Sequence, residues 1–428
     1  MQIHVVQPNQ SLFGIAQAYG TTVNDIVEAN ELPNPNQLDV GQSVVIPIIG
    51  SFYYIQPGDS LWSVSQKVGV PYQQLASING ISVNQPLQIG FRLYIPQKQK
   101  TAAEFNAYVE AYGETMPANL ENSSREAAPL LTYLAPFSFQ AKRDGSLEAP
   151  PIGNLPEIAR QNNNVLMMAI TNQEEGQFND ELGRILLNDQ AIQNTFLNNI
   201  VETAKQYGFR DIHFDFEYLR PADRDAYTQF LRTAKNRFNQ EGWLLSTALA
   251  PKTSATQKGR WYEAHDYKAH GEIVDFVVIM TYEWGYSGGP PLPVSPIGPV
   301  RDVLEYAISE MPPSKILMGQ NLYGYDWTLP FEQGNDFAKA ISPQQAIQIA
   351  AENNARIEYD TEAQAPTFTY YDNAGKEHKV WFEDARSIQA KFDLLRELKL
   401  RGMSYWKLGL SFPQNWLLLS DQFNVTKR

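Results

Sequence analysis

In its C-terminal three quarters the chain switches repeatedly between two hydrophobic periods. Short apolar or strictly alternating runs, the pattern of strands, occupy 106–112, 131–139, 165–171, 211–217, 244–250, 276–283, 316–323 and 403–410. Between most of them, apolar residues recur every three or four positions, the pattern of amphipathic helices. In 191–207 these are Ile192, Phe196, Ile200 and Ala204; in 221–238, Tyr227, Phe230 and Leu231; in 384–400, Ile388, Phe392, Leu395 and Leu398. Eight strands alternating with helices predict an α/β fold of the (β/α)8 TIM-barrel type over 107–428. Residues 324–383 break the alternation, with a helical stretch at 343–353 and extended runs at 366–371 and 378–382. They read as a small α+β insertion between the seventh and eighth strands.

The N-terminal quarter has a different grammar. Residues 3–47 and 52–96 align without a gap, so that Pro8 matches Pro57, Ser11-Leu12 matches Ser60-Leu61, Gly20 matches Gly69, Asn30 matches Asn79 and Ile46-Pro47 matches Ile95-Pro96. Each copy predicts strand, helix, helix, strand, with Ser11 and Ser60 as helix N-caps. Two βααβ modules at 1–48 and 51–97 follow, with the polar stretch 97–106 read as the linker and the entry to the second domain.

Among the eight strands, 211–217 stands apart. Ile212, Phe214 and Phe216 occupy one face; Asp211, His213, Asp215 and Glu217 occupy the other. The inner face of such a barrel is normally filled with branched apolar side chains. Three carboxylates and an imidazole there carry a desolvation cost that raises at least one carboxyl pKa, an arrangement that acid/base chemistry uses. A solvated acidic face on a surface strand is the alternative, and the apolar strands on both sides in sequence weigh against it. Catalytic groups of these barrels sit at the C-terminal strand ends. There the chain also places Tyr282 and Glu283, Asn321 and Tyr323, and Trp406. Carboxylates, phenols, an amide and aromatic rings are the equipment of a sugar site.

Composition narrows the ligand. The net charge of −13 argues against nucleic acid and anionic membrane surfaces. The chain has no cysteine, hence no disulfide or thiolate site. No apolar run is long enough to span a bilayer, and the first twenty residues lack the charge and apolar segments of a classical signal peptide. The histidines lack metal spacing and no glycine-rich phosphate loop follows a strand, so no metal or other cofactor is expected.

The repeats resemble LysM modules, through Gln56-Pro57-Gly58-Asp59-Ser60-Leu61-Trp62 and Asn79-Gly80-Ile81. That resemblance implies binding of N-acetylglucosamine-containing glycan, with Gly58, Asp59, Ser60, Leu61, Asn79 and Ile81 as candidate contacts. The first copy departs, having Asn9-Gln10 in place of Gly-Asp. The second domain resembles glycoside hydrolase family 18, on Phe214-Asp215-Phe216-Glu217, Met280-Thr281-Tyr282-Glu283 and Trp406. The two-LysM layout, with Gly324-Tyr325-Asp326-Trp327 and 381–387, is similar to the spore-cortex lytic enzymes of spore-forming bacilli.

The family's Asp-x-x-Asp-x-Asp-x-Glu pattern keeps Asp215 and Glu217 but has His213 and Arg210 at its two earlier acidic positions. The resemblance implies substrate-assisted retention, with Glu217 as acid and base, Asp215 orienting the substrate's acetamido group and Tyr282 donating to its oxygen. Trp406 would floor the site; Glu283, Asn321, Tyr323 and His213 are candidate substrate contacts, with His213 free to hydrogen-bond Asp215. It further implies an N-acetylglucosaminidase acting during germination on peptidoglycan containing muramic-δ-lactam. Such a protein would be a monomer at the spore coat and cortex, made in the mother cell. A chitinase or general cell-wall glucosaminidase, and a glycan-binding protein without turnover, are the alternatives.

Overall fold

In the computed structural model, which describes residues 1–428 apart from Pro33 and Asn335, each N-terminal repeat closes on a two-stranded antiparallel sheet. Gln2–Val5 pairs with Ser43–Ile46, and Ser51–Tyr54 pairs with Arg92–Ile95. Two helices lie between the strands of each copy, Leu12–Tyr19 and Val23–Asn30 in the first, Leu61–Val68 and Tyr72–Ile78 in the second. Ser11 and Ser60 cap their helices, accepting from Gly14 N–H and Ser63 N–H. The chain folds as two compact units, and the helix Pro413–Gln422 belongs to the N-terminal one. Its Gln414 amide donates to Ser43 O at 2.8 Å. That departs from the single stretch 107–428 expected for the second domain.

The second unit is a closed parallel barrel. Its strands are β1 (Thr101–Glu110), β2 (Tyr133–Phe137), β3 (Val165–Thr171), β4 (Asp211–Asp215), β5 (Leu244–Leu249), β6 (Phe276–Ile279), β7 (Ile316–Asn321) and β8 (Gly402–Trp406). Each pairs in parallel with the next, and β8 pairs with β1 to close the ring. Helices such as Gln190–Tyr207, Arg224–Asn239 and Ala385–Glu397 fill the connections. Phe214 packs outward on Phe230, ring centroids 5.1 Å apart, and Phe216 on Tyr227 at 5.8 Å. Between β7 and β8 lies a five-stranded antiparallel sheet, from Gly324–Thr328 to Glu377–Trp381, with the helix Pro343–Glu352. Among the described residues no helix is long and apolar enough to cross a membrane.

β1 starts at Thr101, inside the stretch read as linker. Its Glu104 and Asn106 are buried within the barrel. Glu104 meets Arg401 Nε at 2.7 Å and Asn106 Nδ2 donates to Ser404 Oγ at 2.8 Å. Inward-facing polar groups with cross-strand partners had disguised a strand as a polar connection.

Candidate active site

Asp215 is the last residue of β4, and Glu217 lies two positions beyond it on the turn above the barrel. That turn is held by Asn172, just past the end of β3. Glu217 N–H donates to Asn172 Oδ1 and Asn172 Nδ2 donates to Glu217 O, both at 2.9 Å. The following residue, Tyr218, has φ 53°, a left-handed conformation uncommon for a large side chain. Asp215, Glu217, Tyr282, Glu283, Tyr323 and Trp406 all line one cavity of about 650 Å³ at the C-terminal end of the barrel. Trp406 ends β8 and is braced edge-on by Phe137, at 4.7 Å between centroids, and by Tyr108 at 5.5 Å. Gly319 in β7 makes room for Tyr282, since a Cβ there would lie 2.9 Å from Tyr282 Cε1 and 2.5 Å from Ile279 O.

The electrostatics of the cavity raise the pKa values of its carboxyl groups. Burial raises the Glu217 carboxyl well above its ordinary value, the charge of Asp215 adds to the rise, and the Trp261 indole N–H, donating to Glu217 Oε2, opposes it. Burial also raises Asp215, and its Oδ1 meets no donor among the described residues. A buried carboxyl oxygen without a partner, open to a cavity, is a place for a ligand's N–H. Glu283, at φ 69°, accepts from the phenols of Tyr323 and Tyr325, the latter at 3.0 Å. Burial raises its carboxyl, and the two phenols pull the other way.

Two candidates lie elsewhere. His213 is 0% exposed, below the cavity, and makes no bond to Asp215, because both its ring nitrogens are engaged. Nε2 meets Tyr108 Oη at 2.9 Å and Nδ1 meets Ser246 Oγ at 2.8 Å. Burial lowers its pKa to about 3, so the ring is neutral. Ser246 Oγ gives its proton to Asp211, 3.0 Å from Oδ2. The neutral ring donates through one nitrogen and accepts through the other. One chain of hydrogen bonds links Tyr108, His213, Ser246 and Asp211, filling the interior where the family pattern has another carboxylate. Asn321 is also fully buried, and its Nδ2 donates to Tyr323 O at 2.7 Å. It shapes the turn that carries Tyr323 and takes no place in the cavity wall.

In the second N-terminal module the candidates divide similarly. Leu61 belongs to the module's core. Asn79 spends its amide inside, donating to Leu75 O and Tyr94 O, each at 2.9 Å, and accepting from Tyr94 N–H at 2.7 Å. Asp59 pairs with Lys67 at 2.6 Å and accepts from the Tyr53 phenol and Gln56 N–H at 2.7 and 2.8 Å. Ser60 is the helix cap, while Gly58, at φ 84°, is exposed and Ile81 half-buried. In the first module Asn9 adopts the same left-handed turn, φ 65°, and Gln10 Oε1 accepts from Gln7 N–H at 2.9 Å. The Asn-Gln departure thus preserves the turn.

Sequence reasoning missed Asn172 and Trp261. Asn172 directly follows a barrel strand and was findable by position. Trp261 sits in the irregular connection after β5, where no periodicity marks it.

Comparison with known proteins agrees with this geometry. The family model for glycosyl hydrolases family 18 matches residues 101–410, and that for the LysM domain matches 4–47 and 53–96. A cortical fragment-lytic enzyme of Bacillus subtilis (strain 168) is 65% identical over 428 residues, covering 100% of this chain and 99% of that protein. One of Bacillus anthracis is 52% identical over 429 residues, covering 100% of both. The crystal structure of the Bacillus megaterium QM B1551 spore cortex-lytic enzyme SleL has 57% identity and a TM-score of 0.91, covering 100% of this chain and 99% of that one.

Proposed function

This chain belongs to glycosyl hydrolases family 18 and is a glycosidase; on that premise we propose that it hydrolyses spore-cortex peptidoglycan as an N-acetylglucosaminidase, by substrate-assisted retention, during germination. The observation that carries the reading is the unpartnered Oδ1 of Asp215 beside Glu217, whose carboxyl pKa is raised by burial, in a cavity lined by Trp406. The full-length likeness to cortical fragment-lytic enzymes supports the substrate and the place of action, the spore.

Glu217, its carboxyl pKa raised by burial, gives its proton to the leaving glycosidic oxygen. The substrate's 2-acetamido oxygen attacks the anomeric carbon, so no protein nucleophile is needed; this family is an exception to the two-carboxylate scheme. Asp215 receives the amide N–H on its free oxygen and stabilises the positive charge that develops on that nitrogen. Tyr282 donates to the acetamido oxygen, and the Trp406 ring lies under the sugar. Glu217 then takes a proton from the water that opens the cyclic intermediate.

The chemistry selects the bond. A muramic lactam has its nitrogen tied into a ring and offers no free acetamido arm, so next to lactam the sugar attacked is N-acetylglucosamine. The LysM modules keep the enzyme on the polymer by raising its effective concentration there. Mass spectrometry of borohydride-reduced products from cortex fragments tests the proposal. Reduced N-acetylglucosamine ends are expected. Reduced muramic ends overturn the bond assignment, and cleavage of chitin in preference to cortex fragments overturns the substrate.

A further inference from the structure

Trp261 approaches Glu217 in a way that the reaction scheme leaves unused. It sits half-buried in the connection between β5 and the helix Tyr267–Ile273 and lines the cavity. Its ring lies nearly parallel to that of Tyr218, at 9° and 6.0 Å between centroids, and its indole N–H points at Glu217 Oε2. The other side of Glu217 is fixed as well, through the two Asn172 bonds to its backbone. The clamp holds the backbone of Glu217, the stack holds the indole, and the indole bond ties the carboxyl group to it.

We propose that Trp261 is a positioning residue for the acid, directing the transferable proton to Oε1 of Glu217 and holding the carboxylate left behind. The proposal rests on the reading of Glu217 as the acid. An indole N–H only donates. The carbonyl oxygen of a protonated carboxyl is a better acceptor than its hydroxyl oxygen, so the indole bond to Oε2 favours the acid's proton on Oε1. In the first step that proton moves to the glycosidic oxygen, which also takes the electron pair of the breaking bond to the anomeric carbon. A lone pair of the acetamido oxygen forms the new bond to that carbon. Glu217 is left ionised, and the bond from Trp261 becomes charge-assisted as the charge appears. An interaction stronger in the transition state than in the ground state raises kcat and leaves binding nearly unchanged.

Other groups face Glu217 as well. Asp215 lies on its own strand, Tyr108 on β1, Tyr218 beside it, Tyr282 and Glu283 after β6, and the Glu110–Lys407 ion pair lines the same cavity. Burial and the charge of Asp215 favour a proton on Glu217. The indole N–H favours its loss. Deleting that N–H therefore lets the acid keep its proton to higher pH.

The test is W261F, which keeps a ring for the Tyr218 stack and removes the N–H. The pH profiles of kcat and kcat/KM on soluble cortex fragments are measured beside wild type and E217Q, with urea midpoints to confirm folding. The expected result is a fall in kcat of roughly ten- to a hundred-fold, the range of a hydrogen bond to a charged group. KM changes little, and the alkaline limb moves to higher pH. An unmoved limb, or a rise in KM alone, overturns the proposal and leaves Trp261 a sugar-stacking wall. Wild-type activity in E217Q would instead remove the acid reading on which the proposal stands.

Discussion

Strand β4 carries ionisable groups at both ends, and the two ends are finished differently. At the lower end Asp211 and His213 are sealed inside the barrel, and their polar atoms have partners in Ser246 and Tyr108. At the upper end Asp215 keeps one oxygen unpartnered, and Glu217 opens on the cavity. All four are buried and all four have strongly shifted pKa values. Burial and pKa shift alone therefore do not separate reactive groups from structural ones. The separation lies in which polar atoms the fold satisfies and which it leaves for a substrate.

The comparison breaks most sharply on the upper pair. E217Q is expected to lower kcat by about a thousand-fold, within the range for losing a general acid, with its urea midpoint near wild type. D215N should cost about a hundred-fold, as for loss of one transition-state stabiliser. Both are read as initial rates on cortex fragments.

The lower end should respond in the opposite currency. H213L removes both imidazole bonds, so the Tyr108 hydroxyl and Ser246 Oγ each lose one buried partner. A loss of about 2–4 kcal/mol is expected, since each unsatisfied buried group costs about 1–3 kcal/mol. The folded fraction should keep kcat far closer to wild type than E217Q does, since His213 lies outside the cavity wall. Urea unfolding with turnover measured on the same samples checks this.

The smallest effect is a pH dependence. Burial raises Asp211 from 3.8 to about 8. A raised carboxyl contributes stability that is fully present below the unfolded value and is lost as pH rises through the folded one. Wild-type urea midpoints should therefore fall between about pH 4 and pH 8 from this group, and D211N should flatten that fall. His213, lowered from 6.5 to about 3, acts with the opposite sign. Its contribution is present above about pH 6.5 and is lost as pH falls toward 3. The D211N midpoints on the acid side should keep that slope.

Much of this was legible in the sequence. The eight strands, the repeat and the βααβ order follow from hydrophobic period and turn residues, and the alternation at 211–217 pointed to the cavity. What escaped reading depended on partners distant in sequence. His213 looked like a neighbour for Asp215 until Tyr108 and Ser246 took both its nitrogens. Asn321 looked like a contact until its amide was found bonding Tyr323 O. Leu61 and Asn79 belong to a module motif in which only burial and hydrogen bonds separate fold-making residues from exposed ones. β1 began earlier than its polar residues suggested, because Glu104 and Asn106 are matched across the barrel. Trp261 lies in an irregular connection, where linear pattern carries no signal for a contact that spans the cleft.

The most direct test of the contrast between the two ends of β4 is the turnover of soluble cortex fragments by folded E217Q. A fall of at least about a hundred-fold at an unchanged urea midpoint is the predicted result, in line with the loss of a general acid. Turnover within about ten-fold of wild type, below the smallest loss that role allows, would contradict it and move the acid elsewhere in the cavity.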